Sequence, residues 1–278
     1  MKIDPALDEI GAWTEIKLRI LRDYAREYAK ILGANNFQFW YVDAFAGAGL
    51  HVSRRRKELV LGSPRIALEI EPRFTTLYFL EIRPDRIALL NDLKESDKRI
   101  QVIQGDCNDV LWKEVIPRLN AAPYARALVI LDPYKLNYDW RIVEALGKSK
   151  KVDLFLNFMI MDANMNMWHR NPDSPRADQI SRLDIAWGDH SWWDVGYDTR
   201  QGNLFGETDF LKTGNAALAQ AYQRRLKEVA GFAHVPPPIP MKNSRGGTIY
   251  YLYFASQKPV AEKIVRYIFG KYRARGLE

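Results

Sequence analysis

The chain has 278 residues, 47% hydrophobic and 27% charged, enough for one large domain with a sizeable core. The net charge of +7 suits a polyanionic partner. The lone Cys107 excludes an internal disulfide framework or a Cys-rich zinc site. No apolar run approaches the roughly 20 residues of a membrane span. The opening MKIDPALDEIGAW has no apolar core of a secretory signal, so a cytoplasmic protein is expected. His51, His169, His190 and His234 show no metal-ligand spacing.

Trp13, Ile16, Ile20, Tyr24, Tyr28 and Ile31 recur at helical spacing, which predicts an amphipathic helix from Trp13 to Leu32, ended by Gly33. Gln38 to Asp43 reads as the first strand. A Gly-rich turn, Ala46-Gly47-Ala48-Gly49, follows at once. Glycines there permit positive φ and close approach of a ligand to the backbone. A loop from Gly47 to Gly62 carries Arg54, Arg55, Arg56 and Lys57. Ser63-Pro64 predicts a helix start, with Ser63 as the cap, running to about Glu71.

Strands are expected at Thr76 to Glu81, Ile100 to Gly105, Ala127 to Leu131 and Val152 to Met159. Helices are expected at Pro84 to Lys94, Asp109 to Asn120 and Trp140 to Leu146. Alternating strands and helices with short connections predict a parallel, doubly wound sheet covered on both faces. Beyond Ile160 regularity breaks, apart from a helix near Ala177 to Trp187. Glu207 to Val229 reads as a long helix. Ile239 to Asn243 and Thr248 to Ala255 read as an antiparallel pair joined by Ser244-Arg245-Gly246-Gly247. A terminal helix spans Pro259 to Arg273, and Lys271 to Arg275 is a basic tail.

Four strands end at an acid: Asp43, Glu81, Asp106 and Asp132. Ligands of open α/β sheets sit outside the carboxyl ends of the strands. An acid after the second strand suits a ribose diol, which offers two donors to one carboxylate. Asp106, after the third strand, could accept from the exocyclic amine of adenine. The glycine turn would admit an amino-acid or phosphate portion. An adenosine-containing cofactor fits all three. GxGxxG opening directly into a helix and GxxxxGK[ST] are both absent, which disfavours a nicotinamide-binding domain and a P-loop hydrolase.

Five parallel strands followed by a long helix and an antiparallel hairpin resemble the class I S-adenosylmethionine-dependent methyltransferases. That resemblance implies a Rossmann-like α/β fold, with a mostly parallel seven-stranded sheet, an antiparallel last strand and helices on both faces. Asp132-Pro133-Tyr134 resembles the (Asp/Asn)-Pro-Pro-(Tyr/Phe) motif of enzymes that methylate nucleobase amino groups, but lacks the second proline. The carboxylate and proline carbonyl would orient the amine, and the aromatic ring would stack on a base taken out of its helix. Trp13-Thr14-Glu15-Ile16-Lys17-Leu18 with Tyr24, the Asp43 turn, Gly62-Ser63-Pro64 and Leu131-Asp132-Pro133-Tyr134 together resemble the three-Cys-motif partner proteins (TcmP). That narrower resemblance spans most of the first 160 residues and implies a Cys-motif partner protein.

The resemblance implies S-adenosylmethionine as cofactor, with Asp43, Phe45, Gly47 and Gly49 at its amino-acid end, Glu81 at the ribose and Asp106 at the adenine. Asp132, Pro133 and Tyr134 would receive the target amine. Arg54, Arg55, Arg56 and Lys57 could contact nucleic-acid phosphates; a solvated loop is the alternative. Lys17 reads as a solvated helix position that could reach a ligand. Asn157, Asp162 and Asn164 could line the site or form turns. Trp192-Trp193 could stack on bases or pack within an insertion, and Cys107 reads as a packed residue. The expected organisation is a helical extension (1–35), a cofactor-binding core (36–160), an insertion or lid (161–205) and a C-terminal completion of the sheet (206–278). The expected activity is methyl transfer to an amino group of DNA or RNA. The alternatives are a protein or small-molecule acceptor, a non-catalytic partner or nucleic-acid-binding protein, and a metal-dependent nuclease using the strand-end acids.

Overall fold

The structure is a computed structural model that describes residues 5–200, 209–243 and 245–274. Residues 201–205 of the expected insertion, 206–208 at the start of the expected C-terminal segment and its helix, Ser244 of the hairpin turn and Arg275 of the basic tail lie outside the described residues. In chain order the strands are β1 (Asp8–Ile10), β2 (Gln38–Asp43), β3 (Leu50–Ser53), β4 (Leu59–Leu61), β5 (Thr76–Glu81), β6 (Ile100–Gln104), β7 (Ala125–Leu131), β8 (Val152–Phe158), β9 (Tyr197–Arg200), β10 (Asp209–Lys212), β11 (Ile239–Lys242) and β12 (Thr248–Ala255). The helices are α1 (Ala12–Gly33), α2 (Ser63–Leu68), α3 (Pro84–Ser96), α4 (Cys107–Val110), α5 (Ile116–Ala121), α6 (Trp140–Lys148), α7 (Ile160–Asn166), α8 (Ala177–Trp187), α9 (Trp192–Gly196), α10 (Asn215–Glu228) and α11 (Pro259–Ala274). A wider π turn over Leu111–Val115 joins α4 to α5.

The main sheet has seven strands in the order β11-β12-β8-β7-β2-β5-β6. Strands β2, β5, β6, β7 and β8 are parallel, and β12 runs antiparallel to both β8 and β11. This is the Rossmann-like class I methyltransferase architecture expected from the sequence, with the antiparallel strand last in the chain. The central strands are buried on both faces, which explains their continuous apolar runs. Alternate residues feed two cores. Val42, Leu80 and Val129 pack on one face with Leu146, Leu218 and Tyr222. Tyr41, Phe79, Leu128 and Phe155 pack on the other with Ile20, Tyr24 and Tyr28 of α1 and Val265 and Phe269 of α11.

Several local expectations change. The segment between the Gly turn and α2 is a hairpin, β3 against β4, with β1 added in parallel to β3. The basic run is the tip of this hairpin. Gly62, in extended conformation, precedes α2, and Ser63 is its first helical residue, so Ser63 does not cap it. The expected helix from Glu207 begins only at Asn215. Thr213 turns the chain there, its N–H donating to Gly196 O at 2.9 Å and its hydroxyl to Val195 O at 2.8 Å. Trp192 is buried and Trp193 stacks on His190 with centroids 5.4 Å apart, so this pair packs within its own layer.

At Gly147 in α6 the helix meets the end of α10 backbone to backbone. A Cβ there would stand 2.1 Å from Ala230 O. Gly147→Ala should force the helices apart and destabilise the fold by about 1–3 kcal/mol or more, read as a lower urea midpoint with an unchanged m value.

Candidate functional site

The chain runs outward from β2 through β5 to β6, then returns to build β7 and β8 on the other side of β2. Strand order therefore reverses between β2 and β7, and a crevice opens beyond their carboxyl ends. Asp43 ends β2, Glu81 ends β5, Asp106 follows β6 and Asp132 follows β7. Two adjoining clefts occupy this edge.

The first cleft, about 220 Å³, is lined by Lys17, Phe45, Gly47, His51, Arg54, Asp132, Pro133, Tyr134, Asn157 and Tyr250, among others. The second, about 170 Å³, is lined by Phe45, Glu81, Ile82, Arg86, Asp106, Cys107, Tyr134 and Asn137, among others. Phe45 and Tyr134 belong to both and form the shared wall. Together the clefts fall in the range of about 300–1,000 Å³ that small-molecule sites occupy.

Gly47 and Gly49 take φ of 64° and 74°, as the turn requires. The turn is held by Gly47 N–H donating to Glu81 Oε2 at 3.0 Å. Glu81 Oε1 also accepts from the N–H groups of Ile82 (2.7 Å) and Arg83 (3.0 Å). Arg86 Nη1 lies 3.7 Å from Oε2. A carboxylate offers about four acceptor positions, so three backbone bonds leave Oε2 with about one. The expectation that Glu81 offers two to a diol is thereby narrowed. Asp106 caps α4, accepting from Asn108 N–H at 2.9 Å, and is otherwise exposed at the rim.

Asp43 is fully buried. Its Oδ1 accepts from Phe45 N–H at 3.2 Å, while Oδ2 has no hydrogen-bond partner. Burial pushes its carboxyl up to about 7. The Ser63 hydroxyl opposes that shift from nearby, without meeting the geometry of a bond to Oδ2, and the Asp132 charge adds to it. His51 Nδ1 and Tyr250 OH are likewise buried and unpartnered. Such atoms are rare in native proteins. His51 and Tyr250 line the first cleft and mark a place for a polar ligand or ordered water, whereas Asp43 lies beneath the Gly turn and lines neither cleft. Burial lowers the His51 imidazole to about 4, with the Lys17 cation adding to the effect, so it is neutral at neutral pH.

Lys17 was expected in solvent. Instead it is 6% exposed and pairs through Nζ with Asp132 Oδ2, while Asn157 Nδ2 donates to Oδ1. Lys17 follows Trp13 and Thr14 by four and three residues, on the face of α1 that lines the cleft. Tyr134 is 65% exposed; its hydroxyl bonds to Asp8, and Asp8 Oδ1 accepts from Arg86 Nη2 at 2.6 Å. Asp8 and Arg86 carried no sequence signal. Asn157 is in the first cleft, whereas Asp162 and Asn164 are structural. Asp162 accepts from Leu136 N–H at 2.8 Å and Arg182 Nη2 at 2.9 Å, and Asn164 donates to Ile160 O at 2.8 Å.

The basic run is mostly engaged by acids. Arg56 Nη2 and Nη1 each lie 2.8 Å from Glu15 and Glu58, and Lys57 Nζ lies 3.0 Å from Glu9. Arg55 is exposed outside the clefts. Arg54 alone of the four lines the first cleft. Among the described residues, the strand-end acids form no cluster of three metal-ligating groups.

No protein-family model and no curated protein matches the chain. Among solved structures, protein LPL1258 of Legionella pneumophila, from the DUF519 family, aligns at 13% identity over 92% of both chains with a TM-score of 0.50. A proposed methyltransferase from Thermobifida fusca aligns at 14% identity over 89% of this chain and 80% of that one, TM-score 0.45. Fibrillarin of Aeropyrum pernix, solved with S-adenosyl-L-methionine bound, aligns at 9% identity over 79% and 66%, TM-score 0.30. The likeness to LPL1258 is one of fold.

Asp43 makes stability pH-dependent. Its pKa is raised from the ordinary 3.8 to about 7 in the folded protein. The folded state therefore holds the proton between about pH 4 and 7, and this contribution to stability is lost as pH rises through that window. Asp43→Asn should gain stability over the parent at pH 8, on the order of a few kcal/mol, and little at pH 4. Urea unfolding at the two pH values measures the difference; an equal effect at both would refute the assignment.

Proposed function

We propose that the protein is an S-adenosylmethionine-dependent methyltransferase acting on an amino group of a nucleobase in DNA or RNA. The observation that carries this reading is the placement of Asp132-Pro133-Tyr134 in the first cleft, with Tyr134 shared with the cleft that holds Glu81 and Asp106. A cofactor pocket and an acceptor pocket meeting at one wall is what group transfer between two bound molecules needs.

The residues present fit the cofactor. Asp43, Phe45, Gly47 and Gly49 would hold its amino-acid end, Glu81 one ribose hydroxyl, and Asp106 the adenine amine. The unpartnered His51 Nδ1 and Tyr250 hydroxyl line the first cleft and are polar groups that a bound ligand would meet. S-adenosylmethionine supplies an activated methyl group on a sulfonium. Asp132 and the Pro133 carbonyl orient the acceptor amine by accepting its hydrogens. Tyr134 offers an exposed ring face for a base taken out of its stack. Lys17 and Asn157 fix the Asp132 carboxylate, so little ordering remains when the amine arrives. The order of motifs supports placing the chain near the three-Cys-motif partner proteins, with a Cys-motif protein as partner.

One observation favours a second reading. Asp132 is already paired with Lys17 and Asn157, and a carboxylate kept permanently in that pair would leave a cofactor-binding module without transfer. Calorimetric titration with S-adenosylmethionine and radiolabelled transfer to mixed-sequence DNA and RNA separate the two. Asp132→Ala should lower transfer on the order of 10²-fold or more while cofactor affinity stays within a few-fold. Persistent turnover would remove Asp132 from the chemistry. Tight cofactor binding by the parent without transfer to any strand would favour the module.

A further inference from the structure

The basic run at Arg54 to Lys57 is uniform in sequence and unequal in space. Arg56 is clasped between Glu15 and Glu58, each at 2.8 Å, and its own N–H donates to the Ser53 hydroxyl at 3.2 Å. Ser53 in turn donates to Glu15 at 2.7 Å, so Arg56 belongs to a closed polar network that secures the hairpin to α1. Lys57 pairs with Glu9 at 3.0 Å.

Arg54 is held less closely by acids than either. Its backbone is pinned, with N–H donating to Ile10 O at 2.9 Å, at the junction of β3 with β1. Its side chain is 60% exposed and makes one long ion pair, Nε to Glu9 Oε2 at 3.9 Å, while Lys57 takes Glu9 Oε1 at 3.0 Å. It lines the same cleft as Asp132, Pro133 and Tyr134. A pinned backbone, a guanidinium held by one long ion pair only and a place beside the acceptor motif are what a phosphate clamp requires.

We propose that Arg54 is the phosphate-reading residue of the acceptor cleft, and that the acceptor is therefore a nucleotide within a single-stranded or locally opened nucleic-acid strand, not a free nucleoside. The inference rests on the nucleobase-acceptor reading above. Asp132 lies in a cleft, out of reach of a base stacked in a duplex, and the base must come out to meet it. Its backbone phosphate then stays at the rim, where Arg54 stands. Arg56 and Lys57 contribute little, because their charge is already met by acids.

The test uses the full chain and needs no turnover. Anisotropy of fluorescein-labelled mixed-sequence single-stranded RNA, and of DNA of the same sequence, is titrated across a KCl series. Each phosphate contact on a single strand contributes about 0.7 to the slope of log K against log salt. Arg54→Ala should weaken binding several-fold and reduce the slope by about that amount. Arg54→Lys, which keeps the charge, should retain the slope. Arg56→Ala, a charge-matched change on the same hairpin, should alter it less. If the parent binds a strand and Arg54→Ala leaves the slope intact, or Arg56→Ala lowers it equally, the assignment of Arg54 falls and the acceptor reading stands. If the parent binds neither strand, the nucleic-acid reading falls with it. Tighter binding of a polyglutamate peptide than of either strand would assign Arg54 to an acidic protein partner and overturn the inference.

Discussion

The reversal of strand order between β2 and β7 is the constraint on which the site depends. In a parallel sheet, the connections that leave the carboxyl ends of adjacent strands normally cross to the same face and close over those ends. Where the chain changes direction of growth, two neighbouring strands send their connections to opposite faces, and the space above them stays open. Here that pair is β2 and β7, in register with Asp43 opposite Ile130. The Gly turn leaves one strand and Asp132-Pro133-Tyr134 leaves the other. Neither segment would make a pocket alone. Gly47 N–H reaching Glu81 then ties the turn to β5 and fixes the second cleft against the first.

Charge inside the cleft is arranged around Lys17. A buried ion pair gains little net stability, because desolvating both partners offsets most of their attraction. The Lys17–Asp132 pair is therefore poor as a stability device. Its effect is on order: it brings the first turns of α1 onto the end of β7 and gives Asp132 one position. Asp43 shows the complementary arrangement. It has no cation bonded to it, burial raises its pKa, and Oδ2 is left unpartnered. Both features cost folding free energy, and both lie at one sheet edge. A site that departs from the packing rules in this way is where function is sought.

The sheet was legible because its signal is redundant. Strands β2, β5 and β7 are apolar runs that end at or just before an acid, and helical periodicity separates them along the chain. The candidate clefts were legible where motif and strand end coincide, as at Glu81 and Asp132. It was illegible where a contact joins distant segments. Asp8 lies in three residues of strand that exist only by pairing with β3, and no local pattern marks them. Lys17 looked solvated because a lysine on a helix usually is; its burial follows from where α1 docks. Ser63 had the local features of a cap, yet the extended Gly62 precedes the helix and Ser63 lies close to the buried Asp43 instead. In each case tertiary placement overrode a sound local preference.

The same distinction governs how the net charge is read. A surplus of +7 describes the chain as a whole, but a partner meets only the cations left uncommitted at the surface it touches. On the β3–β4 hairpin, Glu9, Glu15 and Glu58 answer Lys57 and Arg56, so four consecutive cations present far less free charge than their number suggests. Exposed pairs of this kind hold side chains in place with little net energy. Their consequence here is geometric: they stiffen the hairpin that carries Arg54 to the rim of the cleft. The first cleft thus presents a stiff scaffold with the Arg54 guanidinium at its rim, an exposed Tyr134 ring and a fixed Asp132 carboxylate. In the proposed reading, those three groups would meet the phosphate, the base face and the amine of one nucleotide.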